Sequence, residues 1–152
     1  MADAVIDIVG LDELPLIVEL YNRIFRPAKD VAAFRRRYQG RYHIVQMIAR
    51  VRDEPVGFFL GFELKPDTFY AWYYGVLPEY RRQGIGQQLL EAVHAWARQH
   101  DYEWIRFECQ NAHRAIMHLA LNYNYDIVGL RWDSGIGDNL IIFEKNLSNE
   151  SS

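Results

Sequence analysis

Residues 81–90 read Arg-Arg-Gln-Gly-Ile-Gly-Gln-Gln-Leu-Leu, two cations and two glycines placed directly before an amphipathic helical pattern. The first N–H groups of a helix have no acceptor within it, and the helix dipole makes that end favourable for anions. Glycine lets a bulky anion approach the main chain because no Cβ stands in the way. Arg81 and Arg82 add positive charge. The spacing predicts a diphosphate seat in which backbone amides do most of the holding, the alternative being that the glycines only ease tight packing at the helix start. Two better-known phosphate loops are excluded. No Gly, four residues, Gly-Lys-Ser/Thr string occurs,. A dinucleotide fingerprint would need a third glycine where Leu89 stands, and would not tolerate the loop from Leu77 to Gln83 between strand and glycines,.

The same tripeptide returns at 135–137, inside Asp-Ser-Gly-Ile-Gly-Asp-Asn. Here it lies between two strand patterns, with no helix behind it to aim N–H groups at a ligand. Gly, Asp, Ser and Asn tolerate the positive φ angles of tight turns, so a hairpin loop accounts for this copy.

Other chemistry-bearing residues are scattered. The five histidines form no HExxH pair and no Cys/His cluster, so no metal site is expected,. Cys109, the single cysteine, falls on a strand pattern without an activating dyad and reads as buried,. The basic run Phe-Arg-Arg-Arg-Tyr-Gln-Gly-Arg at 34–41 reads as a solvated helix face that could also meet an acidic substrate,.

The elements that must position these residues follow from periodicity. Residues 4–10 read as a strand and 12–25 as a packed helix, with Asp12 as its cap and Pro15 in its first turn,. Asp30 caps a second, short helix. Residues 42–51, 54–64 and 68–77 form an antiparallel meander. A helix starts near Gly84, with Ile85, Leu89, Leu90, Val93, Trp96 and Ala97 on its inner stripe,. A strand at 102–109, a helix at 112–122 and two closing strands complete the order. Strict alternation along 68–77 puts Tyr73 on one face with Ala71 and Gly75, and Trp72 and Tyr74 on the other. One mixed α/β domain over residues 1–147 is expected, followed by a disordered tail at 148–152.

Composition agrees. The chain has 152 residues, half of them hydrophobic, including ten Tyr, eight Phe and four Trp. That is enough to fill a core and line a pocket. A net charge of −3 argues against general nucleic-acid binding,. No signal peptide and no apolar stretch long enough to span a bilayer are visible, so a cytoplasmic location is expected.

The segment Tyr-Tyr-Gly-Val-Leu-Pro-Glu-Tyr-Arg-Arg-Gln-Gly-Ile-Gly-Gln-Gln-Leu-Leu (73–90) closely resembles the acetyl-CoA-binding motif of the GNAT superfamily of N-acetyltransferases. Val76, Pro78, Arg81, Gly84 and Gly86 match it. Residues 107–129 resemble the family's later strand, Asn and helix, with Asn111, Ala115, Tyr125 and Gly129 at matching or near-matching positions. The element order agrees along essentially the whole chain.

The resemblance implies a central, mostly antiparallel twisted sheet of about seven strands flanked by about four helices, splayed between the strands at 69–77 and 103–109. It implies acetyl-CoA as co-substrate. Arg81, Arg82 and the backbone of Gln83, Gly84, Ile85, Gly86 and Gln87 would cradle its diphosphate. The main chain at Gly75 and Val76 would pair with the pantetheine arm, and Asn111 would hydrogen-bond it, unless Asn111 only caps the following helix. An amine would attack the thioester directly in a ternary complex. Tyr73 and Glu108 are the catalytic candidates, with Glu63 nearby, and the closing strand pair is the family's usual homodimer contact. The acceptor is a small molecule, a peptide N-terminus or a lysine. One departure stands out: the family's general-acid Tyr position holds Ala120, with Tyr123 at the same helix end. That leaves a catalytically silent acyl-CoA-binding module as the alternative.

Overall fold

In the computed structural model, which describes residues 3–148, seven strands form a single mixed sheet in the order β1-β2-β3-β4-β5-β7-β6. The strands are β1 (Val5–Val9), β2 (Val45–Val51), β3 (Glu54–Lys65), β4 (Thr68–Val76), β5 (Trp104–Gln110), β6 (Asp126–Asp133) and β7 (Asp138–Asn146). Four helices cover them: α1 (Leu14–Ile24), α2 (Val31–Tyr38), α3 (Ile85–Gln99) and α4 (Arg114–Asn122). Every strand pairing is antiparallel except that between β4 and β5, which is parallel. The connection between those two strands is α3, as a crossover between parallel neighbours requires.

Local chemistry explains most boundaries. Arg52 and Asp53 both have positive φ, the geometry of a two-residue hairpin turn, and they close β2 onto β3,. Asp30 accepts a hydrogen bond from the Ala33 N–H at 2.9 Å and starts α2 as expected,. Asp12 does not cap α1. A single 3₁₀ turn over Leu11–Glu13 absorbs it, and the helix proper begins at Leu14 with Pro15 in the first turn. Residues 149–152 of the expected disordered tail lie outside the described residues. Ser148, its first residue, donates its N–H to Asn146 Oδ1 and is part of a turn.

The sheet has a core on each side. On one, α3 and α4 pack Ile85, Leu89, Val93 and Ala120 against Phe69, Ala71 and Phe143. On the other, α1 and α2 pack Leu14, Ile17, Tyr21 and Phe34 against Phe58, Leu60 and Phe62. The inner stripe of α3 is as the sequence predicts, save that His94 is more deeply buried than Trp96.

Strand β4 departs from strict alternation. Leu60 pairs with Tyr73 while Gly61 pairs with Ala71, so Trp72 is an extra residue in a β-bulge,. Trp72 and Tyr73 therefore project to the same side, towards α1 and α2, with ring centroids 5.0 Å apart. Ala71 and Tyr74 face α3 and α4. Sequence alternation placed Tyr73 with Ala71 and opposite Trp72. The bulge reverses both assignments and leaves only the Tyr73–Gly75 pairing intact.

Candidate active site

Two features meet at the centre of the sheet. The first is the mouth of α3. Gly84 precedes the helix at φ 80°, a left-handed conformation costly for any residue with a Cβ, and no side chain caps the helix,. The first helical bond runs from the Gln88 N–H to the Gly84 carbonyl at 3.0 Å. Among the described residues, the N–H groups of Ile85, Gly86 and Gln87 have no acceptor,. A Cβ placed on Gly86 would meet only Val76 Cγ2, at 3.9 Å. Packing therefore does not require glycine there, and the cleared space is available to a ligand. Arg81 bonds the Val76 carbonyl through Nε at 3.2 Å, tying the loop to the end of β4. Arg82 is exposed at φ 65°.

The second feature is the gap between β4 and β5. Their ladder runs from Thr68↔Trp104 to Ala71↔Phe107 and stops there. Beyond it, residues 73–76 of β4 stay with β3, while Glu108, Cys109 and Gln110 stay with β7. The two strands part as the resemblance predicts. Side chains at the end of α1 approach Gly75 closely: a Cβ there would lie 3.3 Å from atoms of Ile24 and Phe25, which would have to shift by a few tenths of an ångström.

A cleft of about 770 Å³ opens from this gap on the α1/α2 side of the sheet. That is within the usual size of small-molecule sites. Tyr73 and Glu108, both singled out in the sequence, line it without touching each other. The Tyr73 hydroxyl accepts a hydrogen bond from Lys29 Nζ at 3.1 Å. Glu108 is held by Arg131, with Nη2 2.8 Å and Nε 3.2 Å from Oε1, and its Oε1 also accepts from the Tyr70 hydroxyl at 3.4 Å. Cys109 borders the same gap, and burial pushes its thiol up to about 11. At neutral pH it is a protonated thiol rather than a nucleophile. Burial pulls the His113 imidazole below its ordinary value, so this cleft residue is neutral at physiological pH.

Other sequence candidates fall elsewhere. Glu63 accepts from the Tyr102 hydroxyl at 2.8 Å and does not line the cleft. Asn111 is exposed in a turn and does not cap α4, because His113 occupies the cap position. The Tyr123 hydroxyl donates to Glu91 at 3.0 Å and also meets Gln87. Ala120 is buried in the core beneath α4, and its carbonyl accepts from the Tyr125 N–H. The second Gly-Ile-Gly closes the β6–β7 hairpin, with Gly137 at φ 67° and its N–H on the Asp133 carbonyl. It has a further role that turn chemistry did not reveal: Gly135 and Ile136 form part of the cleft wall.

Sequence reasoning missed Lys29, Trp72 and Arg131 as cleft residues. The basic run at 34–41 pointed towards Arg37, which does line the cleft. Nothing local signals the others, which come from a loop, a bulge and a distant strand. Among the described residues no group of three metal-capable side chains occurs, and no helix is long and apolar enough to cross a membrane.

The chain belongs to the GNAT acetyltransferase family, whose model, Acetyltransferase (GNAT) family, matches residues 14–123. Solved structures agree on the fold. The ribosomal-protein-S18-alanine N-acetyltransferase from Escherichia coli superposes with a TM-score of 0.83 at 17% identity, covering 99% of this chain and 97% of that one. Ard1 from Thermoplasma volcanium gives 0.82 at 14% identity, covering 94% and 97%. A Salmonella typhimurium protein solved with its cofactor acetyl-CoA gives 0.77 at 14% identity, covering 98% and 96%. No curated protein matches the sequence significantly.

Proposed function

We propose that this protein is an N-acetyltransferase that moves an acetyl group from acetyl-CoA to a primary amine by direct attack in a ternary complex. The observation that carries the reading is the end of the β4–β5 ladder at Ala71 and Phe107. It connects the open amides at the mouth of α3 with the cleft on the opposite face. When bound, acetyl-CoA would supply an activated thioester. The residues present suit it. The amides of residues 83–87 offer donors for a diphosphate, Gly86 leaves room for it, and Arg81 and Arg82 contribute charge. The main chain at Gly75 and Val76 and the exposed Asn111 border the gap where the pantetheine arm would run.

The acceptor amine must lose a proton. An alkylamine of ordinary pKa is neutral in only about one molecule in a thousand at pH 7.4. We assign Glu108 as the group that takes this proton, directly or through water, because its carboxylate lies in the cleft one residue beyond the last β4–β5 rung,. Tyr73, fixed by Lys29, is assigned to position the acceptor.

One observation favours a second reading. Ala120 places no proton donor beneath α4, and Arg131 engages both oxygens of Glu108. A protein of this fold that binds acyl-CoA without turning it over would be built in the same way. Two measurements separate the readings. Calorimetry with acetyl-CoA tests binding, and thiol release across a panel of primary amines tests transfer. Binding with thiol release supports the enzyme. Binding with no release from any amine supports the silent module. Absence of binding defeats both.

A further inference from the structure

The chain is acidic overall, yet its cleft is not. Four cations line it, Arg26, Lys29, Arg37 and Arg131, against two carboxylates, Glu108 and Asp133. Both carboxylates are taken by the same arginine: Arg131 Nη2 lies 2.8 Å from Glu108 and 3.7 Å from Asp133. Arg26 turns its guanidinium back onto the carbonyls of Asn22 and Phe25 at the end of α1. Lys29 and Arg37 remain, and among the described residues neither has a carboxylate within ion-pair distance.

Lys29 is not a loose surface charge. The loop that carries Lys29 is pinned by Asn22, whose side chain accepts from the Lys29 N–H and donates to its carbonyl, each at 2.9 Å. The ammonium then stands 5.2 Å from the centre of the Tyr73 ring and 5.7 Å from that of Tyr21. One of its three donors meets the Tyr73 hydroxyl,. On the other side, the Arg37 guanidinium lies 5.7 Å from the Trp72 ring. Because of the bulge, Trp72 and Tyr73 form one aromatic floor, with the Lys29 ammonium by the Tyr73 ring and the Arg37 guanidinium by the Trp72 ring. Such a floor accepts an apolar body, and its flanks accept an anion.

A simple alkylammonium would be repelled by this cleft. An amine that carries its own anion would not. We propose that the acceptor is a free amino acid with an apolar or aromatic side chain, its carboxylate held by Lys29, with Arg37 adding positive charge from the rim, and its side chain lying on Trp72 and Tyr73. The size of the cleft fits such a molecule,. This inference rests on the N-acetyltransferase reading for the identity of the reacting group. The charge and shape preference of the cleft can be tested without turnover.

The test uses matched N-acetyl compounds, which need no reaction to bind. N-acetyl-L-phenylalanine is titrated against N-acetylphenethylamine, and N-acetyl-L-leucine against N-(3-methylbutyl)acetamide, with the full-length protein in a calorimeter. The acid of each pair should bind roughly tenfold to a hundredfold tighter, the ratio expected for a charge-assisted hydrogen bond. In Lys29→Met that ratio should collapse, and in the rim variant Arg37→Gln it should shrink by a smaller factor. Equal binding within both pairs, no binding of any of the four, or a ratio untouched by Lys29→Met would overturn the proposal. Tighter binding of N-acetyl-Asp-Ala-amide than of either acid would assign the anion to a peptide side chain and overturn the free amino acid. Failure of thiol release while the acids keep their preference would count against the enzyme reading alone.

Discussion

The two faces of the sheet offer different kinds of contact. On the α3/α4 face the contacts on offer are main-chain ones: free N–H groups at the mouth of α3, with open space at Gly86 beside them. On the α1/α2 face they come from side chains: Lys29 from a loop, Arg37 from α2, Trp72 and Tyr73 from a bulge, Glu108 from β5 and Arg131 from β6. Main-chain recognition tolerates almost any side chain at most positions and demands glycine at a few. Side-chain recognition demands particular residues but leaves their spacing along the chain free. Solved structures at under a fifth identity share this fold, and of the cleft's side chains Lys29, Trp72 and Arg131 give no warning in the sequence.

The sharpest division between the faces is expected from Glu108→Gln. It should lower the rate of acetyl transfer by roughly a hundredfold or more, as loss of a general base does. Acetyl-CoA affinity, measured by calorimetry, should stay at the wild-type value. A parallel loss of coenzyme affinity would merge what is separated above.

The converse variant is Gly86→Val. Its Cβ meets nothing closer than 3.9 Å, so the fold should be retained. Acetyl-CoA affinity should fall by roughly tenfold to a hundredfold through loss of charge-assisted hydrogen bonds to the amides. Binding of the N-acetyl acids should be unaffected. Unchanged coenzyme affinity in a folded variant would remove the anion seat from α3.

A pH measurement probes the α3/α4 face by itself. His94, 2% exposed and hydrogen-bonded to the Tyr125 hydroxyl, is pulled down to about 3 by burial and then by Lys145 and Arg98. In the unfolded chain it protonates near 6.5. Below that pH the unfolded state gains a proton that the native state refuses. Stability is therefore fully present above pH 6.5 and falls by about 1.4 kcal/mol per pH unit down towards pH 3. Denaturant unfolding of His94→Phe between pH 7 and 4 should show a correspondingly flatter slope than wild type. Equal slopes would mean the imidazole is solvated.

The smallest effect is expected from Gly137→Val, the counterpart of Gly86→Val in the other Gly-Ile-Gly. At φ 67°, with nothing within 4 Å of a Cβ, the cost is conformational, roughly 1–2 kcal/mol of stability,. Acetyl-CoA binding should not change. If it did, the two copies would not be as different as their settings imply.

Much of this molecule was legible before its fold was known. Hydrophobic period marked all seven strands and all four helices because all but β6, which is exposed along most of its length, bury a face against one of two cores,. The cap at Asp30 and the turn at Arg52–Asp53 are local chemistry and followed from local residues. Cap assignments to Asp12 and Asn111 failed because a 3₁₀ turn and a longer loop moved the helix starts past them. The direction of Tyr73 failed because a bulge depends on the partner strand, and period-two reasoning sees only one strand.

By itself, then, the sequence determined the order of elements and the open helix mouth at Gly84, since a helix mouth and its glycines are contiguous and their backbone demands appear as residue type. Only the tertiary structure decided where β4 and β5 part, which way Trp72 and Tyr73 face, and that Lys29, Arg37, Glu108 and Arg131 share one cleft. Those outcomes depend on pairing and charge across distances that no local pattern records.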